Sequence, residues 1–520
     1  MAVRFHAPVF ALLLLCAFAL APLGYPGYFQ PYTGFAPIYA LYSWEESGWS
    51  LLWVSPDSTH TPLRGDGILP YALAGFLRLF GLTGEAAVKS VFALALLVGA
   101  SGTFRLFRRR LTVPIALGLA AVWVYSPMSL SALYVRGSPG ASLGLGLLPW
   151  LALALLHQPA DSEGRPPPFL AHTCSVGAVP AVVVGLTAGL SHYGFALLAL
   201  AVLALLAALS GERRLSPWPA VGLLLATVHV GLLAARQSFL PQTAPVLQFA
   251  LPYQLLSSQA GHGFSSYPWA AQTPAPLSLG VLPVVLLVGS MALGGSRSRT
   301  SHWLPGLLLS LALMALASSL AVPVWGERGL SLLLDGPWQL LALSSFLLLW
   351  LAVRCFSRRL AAFPSAGAAL AILSVVVAMP LLDVPLTAVR PASAPMAAFG
   401  EGSVLLVRAE LHGPLRHGAT PRLRLFWQAT RPLDQDYTVF VHVLDGQDRK
   451  WGQRDSQPAD GAAPTSSWRP GELVVDEHPI YVDVNGPRQG YRLLLGLYRQ
   501  DTGERLSLVN GTTALELGGE

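Results

Sequence analysis

Residues Gly67–Leu82 read GILPYALAGFLRLFGL, and the topology of the whole chain turns on whether this stretch crosses a membrane. It is short, holds Pro70, and carries Arg78 inside its apolar run. A spanning helix needs about 20 predominantly apolar residues, and an arginine within one is costly. The stretch therefore reads as a helix lying along the membrane surface.

With that stretch set aside, the apolar runs number about eleven: Pro8–Leu23, Ala87–Phe104, Thr112–Tyr125, Pro139–Leu156, Val176–Leu190, Phe195–Leu209, Pro219–Ala234, Ala275–Leu293, Trp303–Val322, Pro337–Val353 and Ala361–Leu382. Pro8–Leu23 reads as a retained first span rather than a cleaved signal, because many more spans follow. The 520 residues are 53% hydrophobic and 12% charged, against about 25% charged in a soluble protein. The formal charge of +6 comes mostly from arginines in short clusters between apolar runs. That pattern sets orientation in a bilayer and excludes a nucleic-acid surface. Cys16, Cys174 and Cys355 lie in or beside apolar segments without metal-ligand spacing and read as small apolar fillers.

Five basic clusters orient the spans: Arg4; Arg105 with Arg108, Arg109 and Arg110; Arg213 with Arg214; Arg297 with Arg299; and Arg354 with Arg358 and Arg359. All five fall in the cytoplasm if Gly67–Leu82 does not span. The N-terminus is then cytoplasmic and the C-terminal region extracytoplasmic at the cell membrane. Five segments gather outside: the loop Gly24–Glu85, the turn Ser126–Ser138, the break at Ser191–Tyr193, the loop Gln237–Pro274 and the loop Pro323–Gly336.

The expected organisation is a polytopic α-helical membrane domain over 1–383, with a large first outer loop at 24–85. A Pro/Ala-rich linker follows at 384–398, and then a C-terminal antiparallel β-sandwich over 399–520. Strand-like alternation appears at Ser403–Glu410, Arg422–Thr430, Tyr437–Leu444, Leu473–Val484, Tyr491–Arg499 and Arg505–Leu508, with turns such as Asn485-Gly486-Pro487 between them. Trp427, His442, Trp451 and Trp468 offer aromatic faces of the kind that stack on sugars, so glycan is a candidate partner. Tryptophans in a small sandwich more often serve its core.

Several stretches resemble a family of prokaryotic membrane proteins with a glycosyltransferase fold of the GT-C type, some of whose members are labelled as related to 6-pyruvoyl-tetrahydropterin synthase. Arg64-Gly65-Asp66-Gly67-Ile68-Leu69-Pro70-Tyr71 is similar to an RGDGPLPY-like stretch. Tyr134-Val135-Arg136-Gly137 and Leu147-Leu148-Pro149-Trp150 are similar to a YVRGA…LLP segment. Ser191-His192 resembles a polar break between two spans, and Pro337-Trp338-Gln339-Leu340-Leu341 resembles an FPWRLL motif. Tyr437–His442 with Ser467–Glu472 looks like the outer β-domain of many members. The resemblance covers most of the chain and implies a GT-C-like fold that uses polyprenyl-phosphate sugars. The sequence departs from the family at three positions where a charge is usual: Thr33, Ala141 and Gln339.

Transfer from a polyprenyl-phosphate sugar needs a carboxylate to take the acceptor proton or hold a divalent cation, cationic groups for the phosphate, and a groove for the lipid chain. The candidate carboxylates are Glu45 and Glu46, then Asp57 and Asp66. Asp66 reads more readily as a turn former or helix cap. Arg136 is the first candidate for phosphate, since a guanidinium matches phosphate geometry, and Arg328 is the second. His192 is a candidate phosphate donor or acid/base, and Gln339 a substrate contact by its place in the motif. No residues are assigned to a metal. The rival expectations are a catalytically degenerate relative that binds lipid-linked sugar or scaffolds envelope assembly, and a transporter or flippase. The third is disfavoured by the lack of two matching halves and of charges within the apolar runs.

Overall fold

The computed structural model describes residues 3–29, 36–53, 65–156, 178–209, 215–236, 279–293, 303–325, 336–360, 364–382, 395–400, 402–468, 473–508 and 511–517, with a few single positions between 330 and 387. The described residues are mostly helical, at 59%. It divides into two compact units, residues 1–29 with 49–385 and residues 30–48 with 386–520.

Each apolar run carries a helix. In the first unit these are α1 (Val3–Leu20), α4 (Gly84–Arg108), α5 (Val113–Val124), α7 (Pro139–Leu155), α8 (Ala178–Ser191), α9 (Tyr193–Leu209), α10 (Trp218–Arg236), α11 (Val281–Leu293), α12 (Leu304–Leu316), α13 (Trp338–Leu360) and α14 (Ser365–Leu382). Among the described residues, four helical segments are long and apolar enough to cross a membrane by themselves: Ala7–Gly24, Gly84–Arg108, Trp218–Ala235 and Ser365–Leu382. A fifth is gained if α5 and the bent segment that follows it count together. Helices α7, α8, α9 and α12 run to 13–17 residues, roughly 20–26 Å by helical rise.

Small residues set how closely these helices approach. A side chain at Gly118 of α5 would strike the backbone of Gly367 in α14, and one at Gly222 of α10 the backbone of α8 at Val182. Among apolar surroundings, close van der Waals packing across small residues is what holds helices together. Gly146 of α7 lies against Ala95 of α4, Gly102 of α4 against Trp150, and Trp150 Nε1 donates to Val98 O at 2.9 Å. Residue numbers rise together along the two helices, so α4 and α7 run parallel. Helix α1 is held by two tyrosines. Tyr125 Oη accepts from Ala19 N (3.2 Å) and donates to Leu15 O (2.7 Å), while Tyr134 Oη donates to Ala19 O (2.6 Å).

The deciding stretch forms α3 (Ile68–Arg78), an eleven-residue amphipathic helix. At roughly 16 Å it is too short to cross an apolar core of about 30 Å. Ile68, Pro70, Tyr71, Ala74 and Gly75 face inward, while Phe76, Leu79 and Phe80 are exposed.

The segment expected as a turn at Ser126–Ser138 is helical instead. Ser126 caps a short α6 (Pro127–Leu130) by accepting from Ser129 N, and Pro127 supplies a preset first helical position. A single π-helical turn follows over Ser131–Arg136, and Gly137 ends it at φ 71°. The segment bends 47° from α5. A π turn is uncommon and tends to mark functional places.

The second unit holds α2 (Ala36–Glu46) and the C-terminal strands. After the two-residue strands β1 (Tyr28–Phe29, in the first unit) and β2 (Leu386–Thr387) come β3 (Ala397–Phe399), β4 (Val404–His412), β5 (Arg422–Ala429), β6 (Tyr437–Leu444), β7 (Lys450–Ser456), β8 (Leu473–Pro479), β9 (Arg492–Arg499) and β10 (Leu515–Leu517). They form two antiparallel sheets in the orders β3-β4-β5-β8 and β10-β9-β6-β7. One core draws on both sheets, with Leu423, Leu425 and Trp427 from one and Val439, Val441, Leu495 and Leu497 from the other. Trp427 and Trp468 are buried here, in the core role expected of tryptophans in a small sandwich. Trp427 alternates inward with Leu423 and Leu425, so the pleat itself carries it into the core. Strand β7, KWGQRDS, lacks apolar alternation and was not expected; it pairs with β6 as a polar edge. Arg505–Leu508, expected as a strand, contributes only isolated bridges, Tyr498↔Arg505 and Phe399↔Leu508.

A polar seam joins the edges of the two sheets. Asp476 of β8 accepts from Trp427 Nε1 (3.3 Å) and Ala459 N (2.9 Å) and lies 2.6 Å from His478 Nε2; Ser456 Oγ of β7 lies 3.4 Å from His478 Nδ1. At the β6–β7 turn, the Asp445 carboxyl is pushed down to about 2. Trp451 Nε1, donating at 2.8 Å, is the main cause, helped by the N–H groups of Gln447 and Arg449.

Candidate functional site

The site begins at the N-terminus of α7. Ser138 is its N-cap, accepting from Ala141 N at 3.0 Å, and Pro139 occupies the first helical position. The first amides of a helix lack intrahelical acceptors and carry the positive end of its dipole. Asp66, far back in the chain, supplies the missing negative charge. Its Oδ1 accepts from Ser138 Oγ (2.5 Å), Gly140 N (2.9 Å) and Ala141 N (3.3 Å), and its Oδ2 from Tyr71 Oη (3.1 Å). The edge of Trp53 meets the Tyr71 ring at 5.2 Å.

Two glycines make this approach feasible. A β-carbon at Gly140 would press on the Asp66 carboxylate and the Ser191 carbonyl, and one at Gly67 on the Leu190 carbonyl. Gly67 N donates instead to Ser191 O at 2.8 Å. The carbonyl at the end of α8 is thus satisfied by the residue that follows Asp66. Irregular backbone inside a helical membrane protein needs such a partner.

One step further lies His192, between α8 and α9 and fully buried. Its Nε2 lies 2.9 Å from Nε2 of Gln339, in the first turn of α13. With the amide nitrogen facing the ring, Gln339 donates and the imidazole accepts; the opposite amide orientation reverses the roles. Beside Gln339, the Trp338 ring carries the Arg136 guanidinium, 4.3 Å from its centroid. A guanidinium over an indole face is attracted by the ring's quadrupole. Trp338 Nε1 is buried and finds no acceptor among the described residues.

Asp66, Arg136, His192 and Gln339 therefore belong to one connected cluster, with contributions from three helix ends and the π turn. Asp66 holds the helix end: an ionised carboxylate has about four acceptor positions, and four donors already use it. Glu45 lies on α2, in the second unit, with Trp44 buried beside it in sequence. Glu46 closes the same helix, and its side chain lies outside the described residues. Asp57, Arg328 and Thr33 also lie outside them. Ala141 is buried and donates its N–H to Asp66. Among the described residues no three His, Cys, Asp or Glu side chains gather as a metal site requires.

Sequence reasoning overlooked Ser138, Gly140, Tyr71 and Trp338. Ser138-Pro139 was legible as a helix start. Nothing local marks Tyr71 or Trp338 as partners of distant side chains. No family model matches the chain, and no curated protein matches it.

Proposed function

We propose that the chain is a GT-C-like membrane protein that engages a polyprenyl-phosphate sugar at the outer membrane face and transfers its sugar. The observation that carries this reading is the meeting of four separate segments in one cluster. They are the GDG turn at 65–67, Arg136 to Gly140, Ser191-His192 and Trp338-Gln339. These are the segments on which the family resemblance rests. Arg136 on Trp338 holds the phosphate, and the His192–Gln339 pair and Trp338 Nε1 offer further hydrogen-bonding groups. In this reading all eleven apolar helices cross the membrane, with the N-terminus cytoplasmic and the β unit outside. The parallel course of α4 and α7 supports it, because both must then descend from the outer to the cytoplasmic face.

A second reading, binding without transfer, is favoured by one specific observation. Asp66, the carboxylate of the cluster, is occupied by four donors, and the positions at Ala141 and Gln339 carry no charge. The catalytic carboxylate is then left to Glu45, Glu46 or Asp57, or is missing.

The experiment incubates the purified full-length protein in lipid with a panel of polyprenyl-phosphate sugars and follows donor loss by mass spectrometry. Wild type is compared with Arg136→Ala and with Glu45→Gln/Glu46→Gln. Donor loss that collapses in both variants supports transfer. Donor binding without loss, weakened roughly tenfold or more by Arg136→Ala as expected for a charged hydrogen bond, supports the second reading. Binding unaffected by Arg136→Ala removes the cluster from either role.

A further inference from the structure

The rim of the β unit holds a separate cluster of reactive side chains. Strand β7 ends one sheet and β8 ends the other. Arg454 and Ser456 of β7 stand opposite Val441 and Val439 of β6, and residues directly opposite share one face of a sheet. Val439 and Val441 belong to the core. Both β7 side chains therefore turn toward the space between the sheets, at its open edge. Two residues apart on a strand, they are about 7 Å from each other along it. Across the rim stand Asp476 and His478 of β8, both fully buried.

His478 Nε2 lies 2.6 Å from Asp476 Oδ2. An ionised carboxylate only accepts, so Nε2 carries the proton and Nδ1 is left to accept. The group that Nδ1 faces is Ser456 Oγ, half-buried and 3.4 Å away. Catalytic hydrogen bonds are often this long in unliganded sites. Serine, histidine and aspartate in series form the relay that activates a hydroxyl nucleophile, and it is recognised by geometry and roles. Here the two ring nitrogens are exchanged relative to the serine proteases, with the proton path unchanged. Two further observations set the relay apart from a packing contact. Arg454 Nε is buried and meets no acceptor among the described residues, while its Nη2 donates to Asp460 Oδ1 at 2.6 Å. A buried N–H without an acceptor costs stability that a bound oxyanion would recover. In addition, Ala459 and Asp460 take left-handed φ values of 53° and 51°. Strain of this kind collects at functional sites. The strained turn holds both halves of the cluster: Ala459 N donates to Asp476 Oδ1 at 2.9 Å, and Asp460 anchors Arg454.

We propose that Ser456, His478 and Arg454, positioned by Asp476 and the 458–461 turn, form a site that cleaves acyl esters at the rim of the β unit. Ser456 Oγ attacks the ester carbonyl carbon while its proton passes to His478 Nδ1. The carbonyl oxygen takes up negative charge and accepts from Arg454 Nε. The bond to the leaving alcohol then breaks, and the alcohol takes the proton from Nδ1. Water repeats the cycle on the acyl-serine, releasing the acid and restoring Ser456. Asp476 is a positioning residue that fixes the tautomer of His478. The site lies wholly within the β unit and does not depend on sugar transfer by the Arg136–His192 cluster.

The test treats the full-length protein in detergent with a fluorophosphonate, which an activated serine attacks at phosphorus with loss of fluoride, and follows hydrolysis of p-nitrophenyl acetate in parallel. Peptide mass spectrometry should place the adduct on Ser456, and Ser456→Ala should abolish both adduct and hydrolysis. The control Ser467→Ala, at an exposed serine, leaves both unchanged. His478→Gln should slow labelling about 100-fold or more, as loss of a general base does. Arg454→Gln should slow it about tenfold or more; its side chain is 38% exposed, so this variant carries the test should the buried histidine variant fail to fold. Asp476→Asn should displace the pH profile of labelling, which loss of a merely structural contact leaves in place. No adduct on Ser456 under excess probe, or a labelling rate indifferent to both His478→Gln and Arg454→Gln, overturns the proposal and leaves the cluster as a packing seam.

Discussion

Asp66 in the helical unit and Asp476 in the β unit are both buried carboxylates, and they are used in different ways. Asp66 receives the backbone amides of a helix end, a serine and a tyrosine, and so ties α3, α7 and the end of α8 together. Asp476 receives an indole and one backbone amide and sits against a histidine two residues away, linking the edges of two sheets. A helix presents several unsatisfied N–H groups at one point, so a single remote carboxylate can satisfy them. A sheet spends its backbone groups on its own ladders, so a buried acid there must find side-chain partners. The first arrangement makes the acid a keystone for distant segments; the second makes it a local rivet.

The largest effect is expected from Asp66→Ala, which takes the acceptor from Tyr71 Oη, Ser138 Oγ and Gly140 N and should cost about 3–5 kcal/mol. Hydrogen exchange followed by mass spectrometry should show faster exchange at residues 140–145 and 66–71 with the β strands unchanged. Asp66→Asn keeps one oxygen and should lose less. Unchanged exchange in the alanine variant would mean that the carboxylate is not what caps α7. Asp476→Ala should follow at about 2–3 kcal/mol, with faster exchange confined to β5, β8 and the 458–461 turn. A spread of that change into the helices would break the contrast between keystone and rivet.

Arg136→Lys should have a smaller effect. The ammonium keeps the charge but loses the planar stack on Trp338, so donor affinity should fall by a few-fold, in line with about 1 kcal/mol. Affinity equal to wild type would show that charge alone matters there.

The smallest effect concerns the β6–β7 turn. The folded pKa of Asp445 lies below its unfolded value, so its stabilisation is fully present above pH 4. It should fade as pH drops through about 2. Resonances of Gln447 and Arg449 amides should shift over that window in wild type and not in Asp445→Asn. A midpoint near 4 in wild type would deny the role of Trp451 as its main donor.

Much of the secondary structure was legible because it depends on local pattern. Each apolar run carries a helix, and the alternating runs at 404–412, 422–429 and 437–444 carry strands. The turn expected at 126–138 failed because a proline at the start and a serine cap can continue a helix after a bend as readily as end it. Strand β7 was invisible because an edge strand need not alternate.

The candidate site divides the same way. From the sequence, Asp66, Arg136 and His192 stand out as candidates because charge and polarity beside apolar runs are rare and local, and Gln339 stands out only by its place in the resembled motif. A cap role for Asp66 was readable from its turn; only the tertiary structure decided that the helix it caps is α7, and that Arg136 lies on Trp338. The physical reason is that a polar side chain's role depends on which partners it meets. Those partners come from segments whose approach is set by packing, here by the absent side chains of Gly67 and Gly140 and not by any neighbour in the chain.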